Sequence, residues 1–196
     1  DAAMKLAAAM PALCEVTFSG PNTTSVHVVA AFVTRRPGIR AIDVSRTYGD
    51  VSAEGFTLIA NGCPQLRRLD VSFTQVTNKA LCAIAARCPL LEHLKGSVLA
   101  ADVADEAISA IGEHCPQLRV LDVVCLRMSD ASLIRVARGC PSLRQLTVRA
   151  VAGQITSATV MAVAQFCPEL RHLDVATNEG YIADGAISAI ALACPR

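Results

Sequence analysis

Residues 115–139 read CPQLRVLDVVCLRMSDASLIRVARG, and this frame of cysteine, proline and spaced aliphatic residues recurs along the chain. Six of the nine cysteines open such a unit: Cys63, Cys88, Cys115, Cys140, Cys167 and Cys194. Proline follows each of them, and the same apolar spacing follows the first five. Subtracting these positions gives spacings of 25, 27, 25, 27 and 27 residues. A fixed period of this size indicates a solenoid, in which each repeat packs against its neighbours.

Within each unit the apolar spacing changes from that of a strand to that of a helix. In the quoted unit, Leu121 and Val123 alternate as in a strand, whereas residues 133–137 follow the spacing of a helix face. The hydroxyl residues Thr77 and Ser129 precede such helical patterns and are predicted as N-caps. Each repeat is therefore predicted to form one strand and one helix.

Stacking of these units predicts a curved molecule. No repeat can bury its own apolar stripe, so neighbouring repeats must share one continuous core. Adjacent strands lie about 4.8 Å apart, whereas packed helices need about 8 to 10 Å. The mismatch bends the stack, which predicts an α/β horseshoe with parallel strands on the concave face and helices on the convex face.

The repeat resembles the cysteine-containing class of leucine-rich repeat known from F-box proteins, the substrate receptors of cullin-based ubiquitin ligases. The resemblance covers nearly the whole chain. In the quoted unit it is carried by Cys115, Pro116, Leu118, Leu121, Asp122, Val123, Cys125, Ser129, Asp130 and Leu133. Cys125 is the second cysteine of the class, and other units replace it with Phe73, Val98, Ala150 or Thr177. The resemblance implies a leucine-rich repeat solenoid that binds proteins.

The repeat frame predicts a single leucine-rich repeat domain over residues 1–196, with seven repeats in 10–193. Residues 1–9 fit the last helix of a preceding repeat, and 194–196 begin a further one. Terminal repeats normally carry polar caps, so we expect a fragment of a longer protein. No F-box is found in these residues, and the resemblance therefore implies that a cullin-ligase adaptor would bind a region outside this chain.

Composition excludes some classes of partner. A content of 53% hydrophobic and 18% charged residues suits a solenoid in which every repeat adds core, and 4% aromatic residues make that core aliphatic. The net charge of +1 gives no reason to expect nucleic acid as a partner. No apolar run approaches the ~18 residues of a membrane helix, so no membrane partner is expected.

The cysteines are predicted to be reduced core residues, because their number is odd and six of them follow the repeat. Reduced thiols indicate an intracellular location, the cytoplasm first, with the nucleus or a flagellum as alternatives. A competing interpretation is a metal or redox site built from Cys82, Cys88 and His93, or from His114 and Cys115. Neither set has the paired close cysteines of a zinc site, so no metal or other cofactor is predicted.

Catalytic motifs are absent from the sequence. It contains no phosphate-binding glycine loop with its lysine, no nucleophile elbow and no zinc-protease helix. Of the four scattered histidines, His93 and His172 share a repeat position, and we interpret them as solvated or partner-facing side chains. The sequence therefore predicts that the protein is not an enzyme.

Strand alternation predicts which side chains face a partner. With Leu69 and Val71 buried, Arg68 and Asp70 point outward, and Lys95 takes a position that is aspartate in other repeats. We expect Lys95 to lie near any partner. Both tyrosines fall in longer loops at one edge, where each contacts a partner or packs over its own loop. The candidate partner-binding residues are Arg68, Asp70, His93, Lys95, Asp122, Gln145, Arg149, His172, Asp174, Tyr48 and Tyr181.

A second regularity joins arginine and aspartate. Arginine follows the first core aliphatic residue in five units, at Arg40, Arg67, Arg119, Arg144 and Arg171. Four of these units have aspartate three residues later, at Asp43, Asp70, Asp122 and Asp174. We interpret the pattern as a surface ion-pair ladder, each pair contributing only about 0 to 1 kcal/mol. The alternative is a ligand-binding stripe of charge.

The sequence thus predicts a non-catalytic module for protein–protein interaction. The first hypothesis is that it forms the substrate-recognition repeats of an F-box type SCF ubiquitin ligase receptor. The alternative is a structural scaffold subunit of a large assembly, such as a flagellar axoneme or a ribonucleoprotein complex.

Overall fold

Strands and helices alternate along the chain, as the repeat predicts. A computed structural model describes residues 12–20, 26–47, 53–97, 103–125, 127–150, 155–177 and 181–194. Within these residues the elements are β1 (Glu15–Thr17), α1 (Val26–Val33), β2 (Ala41–Asp43), α2 (Ala53–Gly62), β3 (Arg68–Asp70), α3 (Asn78–Arg87), β4 (His93–Gly96), α4 (Asp105–His114), β5 (Val120–Cys125), α5 (Asp130–Gly139), β6 (Gln145–Ala150), α6 (Ser157–Phe166), β7 (His172–Thr177) and α7 (Asp184–Ala193).

All seven strands form one parallel sheet in chain order. Equivalent residues of successive repeats pair directly, so that Leu69 lies opposite Leu94 and Leu94 opposite Leu121. A parallel sheet with a helix after every strand is the predicted α/β leucine-rich repeat solenoid, and that prediction is confirmed. The predictions for residues 1–9 and for 195 and 196 fall outside the described residues.

The core lies between the sheet and the layer of helices. Leu121 of β5 is fully buried, as are Ile111 of α4 and Leu133 and Val136 of α5. Burial of one such aliphatic side chain stabilises the fold by about 1.5 to 3 kcal/mol. Because each side chain contacts both its own and the adjacent repeat, that stabilisation belongs to the stack.

The repeating cysteines end the helices and join one repeat to the next. The N–H of Cys115 donates to the carbonyl of Ile111 at 3.0 Å, which closes the last turn of α4. The thiol of Cys140 lies 3.4 Å from the carbonyl oxygen of Cys115. The thiol of Cys88 lies 3.4 Å from the carbonyl oxygen of Cys63. A small apolar side chain with a weak donor fits this position, which accounts for its recurrence.

The predicted N-caps are half right. Thr77 caps α3, because its hydroxyl accepts the N–H of Ala80 at 3.3 Å. Ser129 occupies the N-cap position of α5 but makes no side-chain capping bond there. Its hydroxyl donates instead to Asp105 Oδ2 at 2.6 Å, and its N–H donates to Asp105 Oδ1 at 2.8 Å. Asp105, the first residue of the preceding helix, thus holds Ser129 across the repeat boundary.

Asp130 repeats this inter-repeat contact one unit later. Its Oδ1 accepts the N–H groups of Thr156 and Thr159 at 2.9 and 3.2 Å, and its Oδ2 accepts the Thr156 hydroxyl at 2.6 Å. Partial burial acts to raise the pKa of Asp130, but the hydrogen bonds from Thr156 and Thr159 together lower it below its ordinary value. The ionised carboxylate therefore ties α5 to α6.

Two glycines permit an unusually close approach of α4 and α5. A Cβ atom placed on Gly139 would lie 1.7 Å from the carbonyl oxygen of Gly112, and one placed on Gly112 would lie 2.7 Å from the backbone of Arg135. Backbone atoms cannot move aside as a flexible side chain can, so this crossing requires glycine.

Replacement of Gly139 by alanine should therefore destabilise the protein. We expect Gly139→Ala to lower the free energy of unfolding by about 1 to 3 kcal/mol, as overpacking does. Gly185→Ala is the matched control, because a Cβ there meets nothing within 4 Å, and alanine in α7 should be neutral or stabilising by up to about 1 kcal/mol. Urea unfolding followed by circular dichroism measures both, and equal midpoints would contradict the close crossing.

Asp130 should make stability depend on acid pH. A carboxyl whose pKa is lower in the folded than in the unfolded chain binds fewer protons when folded. Its contribution is complete above its ordinary pKa of 3.8 and is lost as pH falls through the lower folded value. Asp130→Asn should therefore destabilise the protein near pH 7 and flatten the loss of stability in acid, as followed by thermal unfolding.

The control for this experiment is Asp184→Asn. Asp184 is also the first residue of its helix, but it is exposed and its carboxylate bonds to no other described residue. An acid profile of Asp130→Asn parallel to that of Asp184→Asn would show that the inter-repeat carboxylate does not contribute.

Candidate functional site

The concave face presents two columns of outward side chains, because alternate strand residues point away from the helices. The first residue of each strand forms one column: Glu15, Ala41, Arg68, His93, Val120, Gln145 and His172. The third residue forms the other: Thr17, Asp43, Asp70, Lys95, Asp122, Thr147 and Asp174. Nine of the eleven predicted partner-binding residues lie on this face.

A groove of about 410 Å³ lies on the concave face over β1 to β4. Four predicted residues share its walls, and two acidic residues of the first two strands complete its polar lining. These side chains are Glu15, Asp43, Arg68, Asp70, His93 and Lys95. Glu15 was not among the predicted residues, although the strand position equivalent to Arg68 in the first repeat identifies it.

Charges of both signs lie in this groove. The guanidinium of Arg68 is 3.7 Å from the carboxylate of Glu15, whereas Lys95 is exposed and forms no ion pair with another described residue. Burial lowers the pKa of His93, and the positive charge of Arg68 lowers it further. The imidazole is therefore neutral at pH 7, with one donor and one acceptor for a ligand.

Two acidic residues of the groove also hold the turns that leave the strands. Asp43 Oδ1 accepts the N–H of Ser45 and Asp70 Oδ1 accepts the N–H of Ser72, both at 2.9 Å. Each carboxylate has a second oxygen, and both residues line the groove. Asp70 thus has both a local structural role and an oxygen for binding.

The predicted ion pairs between each arginine and the aspartate three residues later are wrong. Arg67 pairs with Glu92 of the next repeat, and Arg144 pairs with Glu169 at 2.8 Å. Arginine precedes the strand while aspartate lies within it, so the two side chains leave the backbone in different directions. Long side chains instead reach the neighbouring repeat.

The second half of the concave face holds the other predicted strand residues. Arg149 donates to Asp174 Oδ2 at 2.7 Å, which joins β6 to β7. Gln145 donates to the hydroxyl of Thr147 at 3.3 Å, and His172 at the start of β7 is exposed. Asp122 lies beside Lys95 in register and links the two halves.

The loop edge places one predicted tyrosine in solvent. Tyr181 is 76% exposed, while its carbonyl accepts the N–H of Ser157 at 3.1 Å. Its ring is thus free for a contact while its backbone is fixed. Tyr48 lies outside the described residues. Sequence reasoning missed a further feature of this edge, the guanidinium of Arg46 stacked 5.6 Å from the ring centre of Phe73.

Comparison with known proteins identifies the repeat. No family model matches the chain. F-box/LRR-repeat protein 4 of Bos taurus is 30% identical over 127 residues, which cover 64% of this chain and 20% of that protein. F-box protein SKIP1 of Arabidopsis thaliana is 26% identical over 140 residues, which cover 62% of this chain and 46% of that protein. The repeats are leucine-rich repeats and are similar to those of F-box/LRR proteins.

Solved structures agree on the fold. An internalin (inlF) of Listeria monocytogenes superposes with a TM-score of 0.64 at 15% identity, over 97% of this chain and 48% of that one. Rad7, in the structure of the yeast Rad7 and Elc1 complex, gives 0.53 at 16% identity, over 95% and 59%. The leucine-rich repeat chain spans less than half the length of the two curated relatives it matches above.

The cysteines of this leucine-rich repeat chain are poor metal ligands. All nine are free, and burial raises the pKa of Cys88 and Cys115 to about 12, with the charge of Cys88 adding to the shift at Cys115. Metals bind the thiolate, which such a pKa disfavours. Among the described residues no group of three or more His, Cys, Asp or Glu could hold a metal, and none of the helices is long and apolar enough to cross a membrane.

Thiol reactivity should follow this burial. In the folded protein at pH 8 we expect iodoacetamide to label exposed Cys14 at least about tenfold faster than Cys115 or Cys140, because a protonated, buried thiol reacts only after local unfolding. Peptide mass spectrometry after timed quenching measures each site, and labelling in guanidinium provides the control. Equal labelling rates at Cys14 and Cys115 in the folded protein would contradict the burial of the repeating cysteines.

Proposed function

We propose that this chain forms the non-catalytic substrate-recognition repeats of an F-box type SCF ubiquitin ligase receptor. The leucine-rich repeat fold and the F-box/LRR relatives support a protein-interaction module. The observation that carries the receptor role is the match to F-box proteins, which includes a putative F-box/LRR-repeat protein of Arabidopsis thaliana, 30% identical over 69% of this chain and 30% of that protein.

The concave face is the proposed substrate site. The groove over β1 to β4 offers a cation at Lys95 and carboxylate oxygens at Asp43 and Asp70, so a matching segment carries both an acidic and a basic or amide side chain. Opposite charges across an interface favour the correct partner and penalise others by leaving charges unpaired. Neutral His93 adds a contact that needs no counter-charge.

The remaining predicted residues extend this contact along the sheet. Asp122, Gln145, Arg149, His172 and Asp174 continue the face, and the exposed ring of Tyr181 reaches the loop edge. Exposed tyrosine is favoured at interface hot spots. A partner that covers both halves would therefore contact strands from β3 to β7, with the ligase adaptor held by a region outside this chain.

A reducing compartment is part of the proposal. The ladder of free, buried thiols suits the cytoplasm or nucleus, where cysteines remain reduced. The same buried thiols also suit a flagellum, which is one of the two assemblies named for the scaffold alternative.

A tagged full-length protein at its natural level should co-purify with a cullin and its adaptor, together with substrate proteins. Charge reversal in Lys95→Glu should reduce substrate recovery at least about tenfold while cullin recovery is unchanged, because removal of a buried or central interface charge leaves its partner unpaired. Lys79→Glu, an exposed lysine on α3, is the charge-matched control. Quantitative mass spectrometry compares the recovery of substrates and of the cullin among the unmodified protein, Lys95→Glu and Lys79→Glu.

Two results would count against the proposal, the first against the ligase role and the second against the groove as the substrate site. Recovery of one large assembly in fixed stoichiometry without a cullin would establish the scaffold alternative. Full substrate recovery with Lys95→Glu would leave the ligase role standing but would remove the groove as the substrate site.

A further inference from the structure

A second charged surface runs along the edge where the strands begin. The residue immediately before each strand is hydrogen-bonded through its backbone to its equivalents in adjacent repeats, at distances of 2.7 to 2.8 Å. From β2 to β7 these residues are Arg40, Arg67, Glu92, Arg119, Arg144 and Arg171. One rung follows another at the strand spacing of about 4.8 Å, so five arginines and one glutamate form a continuous column.

The last three rungs are consecutive arginines, and we call Arg119, Arg144 and Arg171 the arginine strip. Arg144 donates through Nε and Nη2 to Glu169 Oε2, at 3.0 and 2.8 Å. Arg119 is half-buried and Arg171 is exposed, and neither forms an ion pair with another described residue. The strip therefore carries two guanidiniums that form no direct ion pair with a carboxylate of the described residues.

Glu169 shows how this strip treats an anion. Hydrogen bonds from Arg144 lower the pKa of the Glu169 carboxyl, and the charges of Arg144, Arg119 and Arg171 lower it further. All three guanidiniums thus lie close enough to act on one carboxylate. The Glu169 carboxylate bonds directly to Arg144 and leaves Arg119 and Arg171 available for additional oxygen atoms.

We propose that the arginine strip binds an acidic segment of a partner protein, through carboxylates that pair with Arg119 and Arg171 on either side of Arg144. This surface is distinct from the groove over β1 to β4, which lies on the other half of the sheet. Planar guanidiniums bind carboxylates with two parallel hydrogen bonds, which gives a strip of arginines direction as well as charge.

The surroundings favour an acidic protein segment over nucleic acid. Glu92 stands next to the strip in the column and Glu169 pairs with its central arginine, and both carboxylates would repel a continuous phosphate backbone. The residues that follow the strip arginines in the strands are Val120, Gln145 and His172, and none of these is a phenylalanine, tyrosine or tryptophan on which a base could stack. A carboxylate segment can place its charges at the two outer arginines alone.

The test uses the full-length protein with a fluorescein-labelled oligo-glutamate peptide, and fluorescence anisotropy at low and physiological salt. We expect the peptide to bind, and Arg119→Glu combined with Arg171→Glu to weaken binding at least about tenfold, since two attractions become repulsions. The control combines Lys79→Glu with Arg127→Glu, two exposed cations elsewhere on the surface that give the same change in net charge. It should change the affinity less than about twofold.

Circular dichroism and the unfolding midpoint establish that both double variants fold. Equal losses in the two variants, or no binding to the unmodified protein, would overturn the proposal. Tighter binding of an oligouridylate of similar charge, lost in the strip variant, would make the strip a nucleic-acid surface and would also overturn it. The assay contains no ligase component, so its outcome is separate from that of the receptor proposal.

Discussion

The contact between neighbouring repeats determines nearly every other feature of this molecule. Leu69, Leu94 and Leu121 follow one another in register across three strands, and none is buried by its own repeat alone. The polar contacts cross the same boundary, since Asp105 binds the start of the next helix and the Cys140 thiol reaches the carbonyl of Cys115. Removal of one repeat would therefore expose apolar surface and leave polar groups unpaired on both sides.

Features that depend on the repeat period could be predicted from the sequence, because the period fixes which backbone positions are equivalent. Strand alternation was sufficient to predict that Arg68, Asp70, His93 and Lys95 point outward, and the structure places all four in one groove. The predicted residues did not include Glu15, although its position in the first repeat follows from the same alternation. The fold can be predicted from the apolar spacing alone. Once the buried face of a strand is known, its outward face follows by alternation.

Contacts between long side chains could not be predicted in this way. Arg67 and Glu92 are 25 residues apart and pair across the repeat boundary, whereas the regular spacing of arginine and aspartate within a repeat produces no pair. Exposed ion pairs contribute only about 0 to 1 kcal/mol, so small differences in reach decide which partner is chosen. Ser129 makes a contact of the same kind, because its hydroxyl donates to the carboxylate of Asp105 in the preceding repeat.

The difference between the repeating buried positions and the variable outward positions has a consequence for binding. The buried strand residues support each strand of the sheet. An outward residue such as Lys95 or Arg171 can therefore change without disturbing its neighbours. Specificity in a solenoid therefore resides in the order of side chains along rungs about 4.8 Å apart. In this chain the groove combines both signs of charge, while the strip at the strand starts carries one sign. Two surfaces with such different charge patterns on one rigid sheet can select different segments of the same partner.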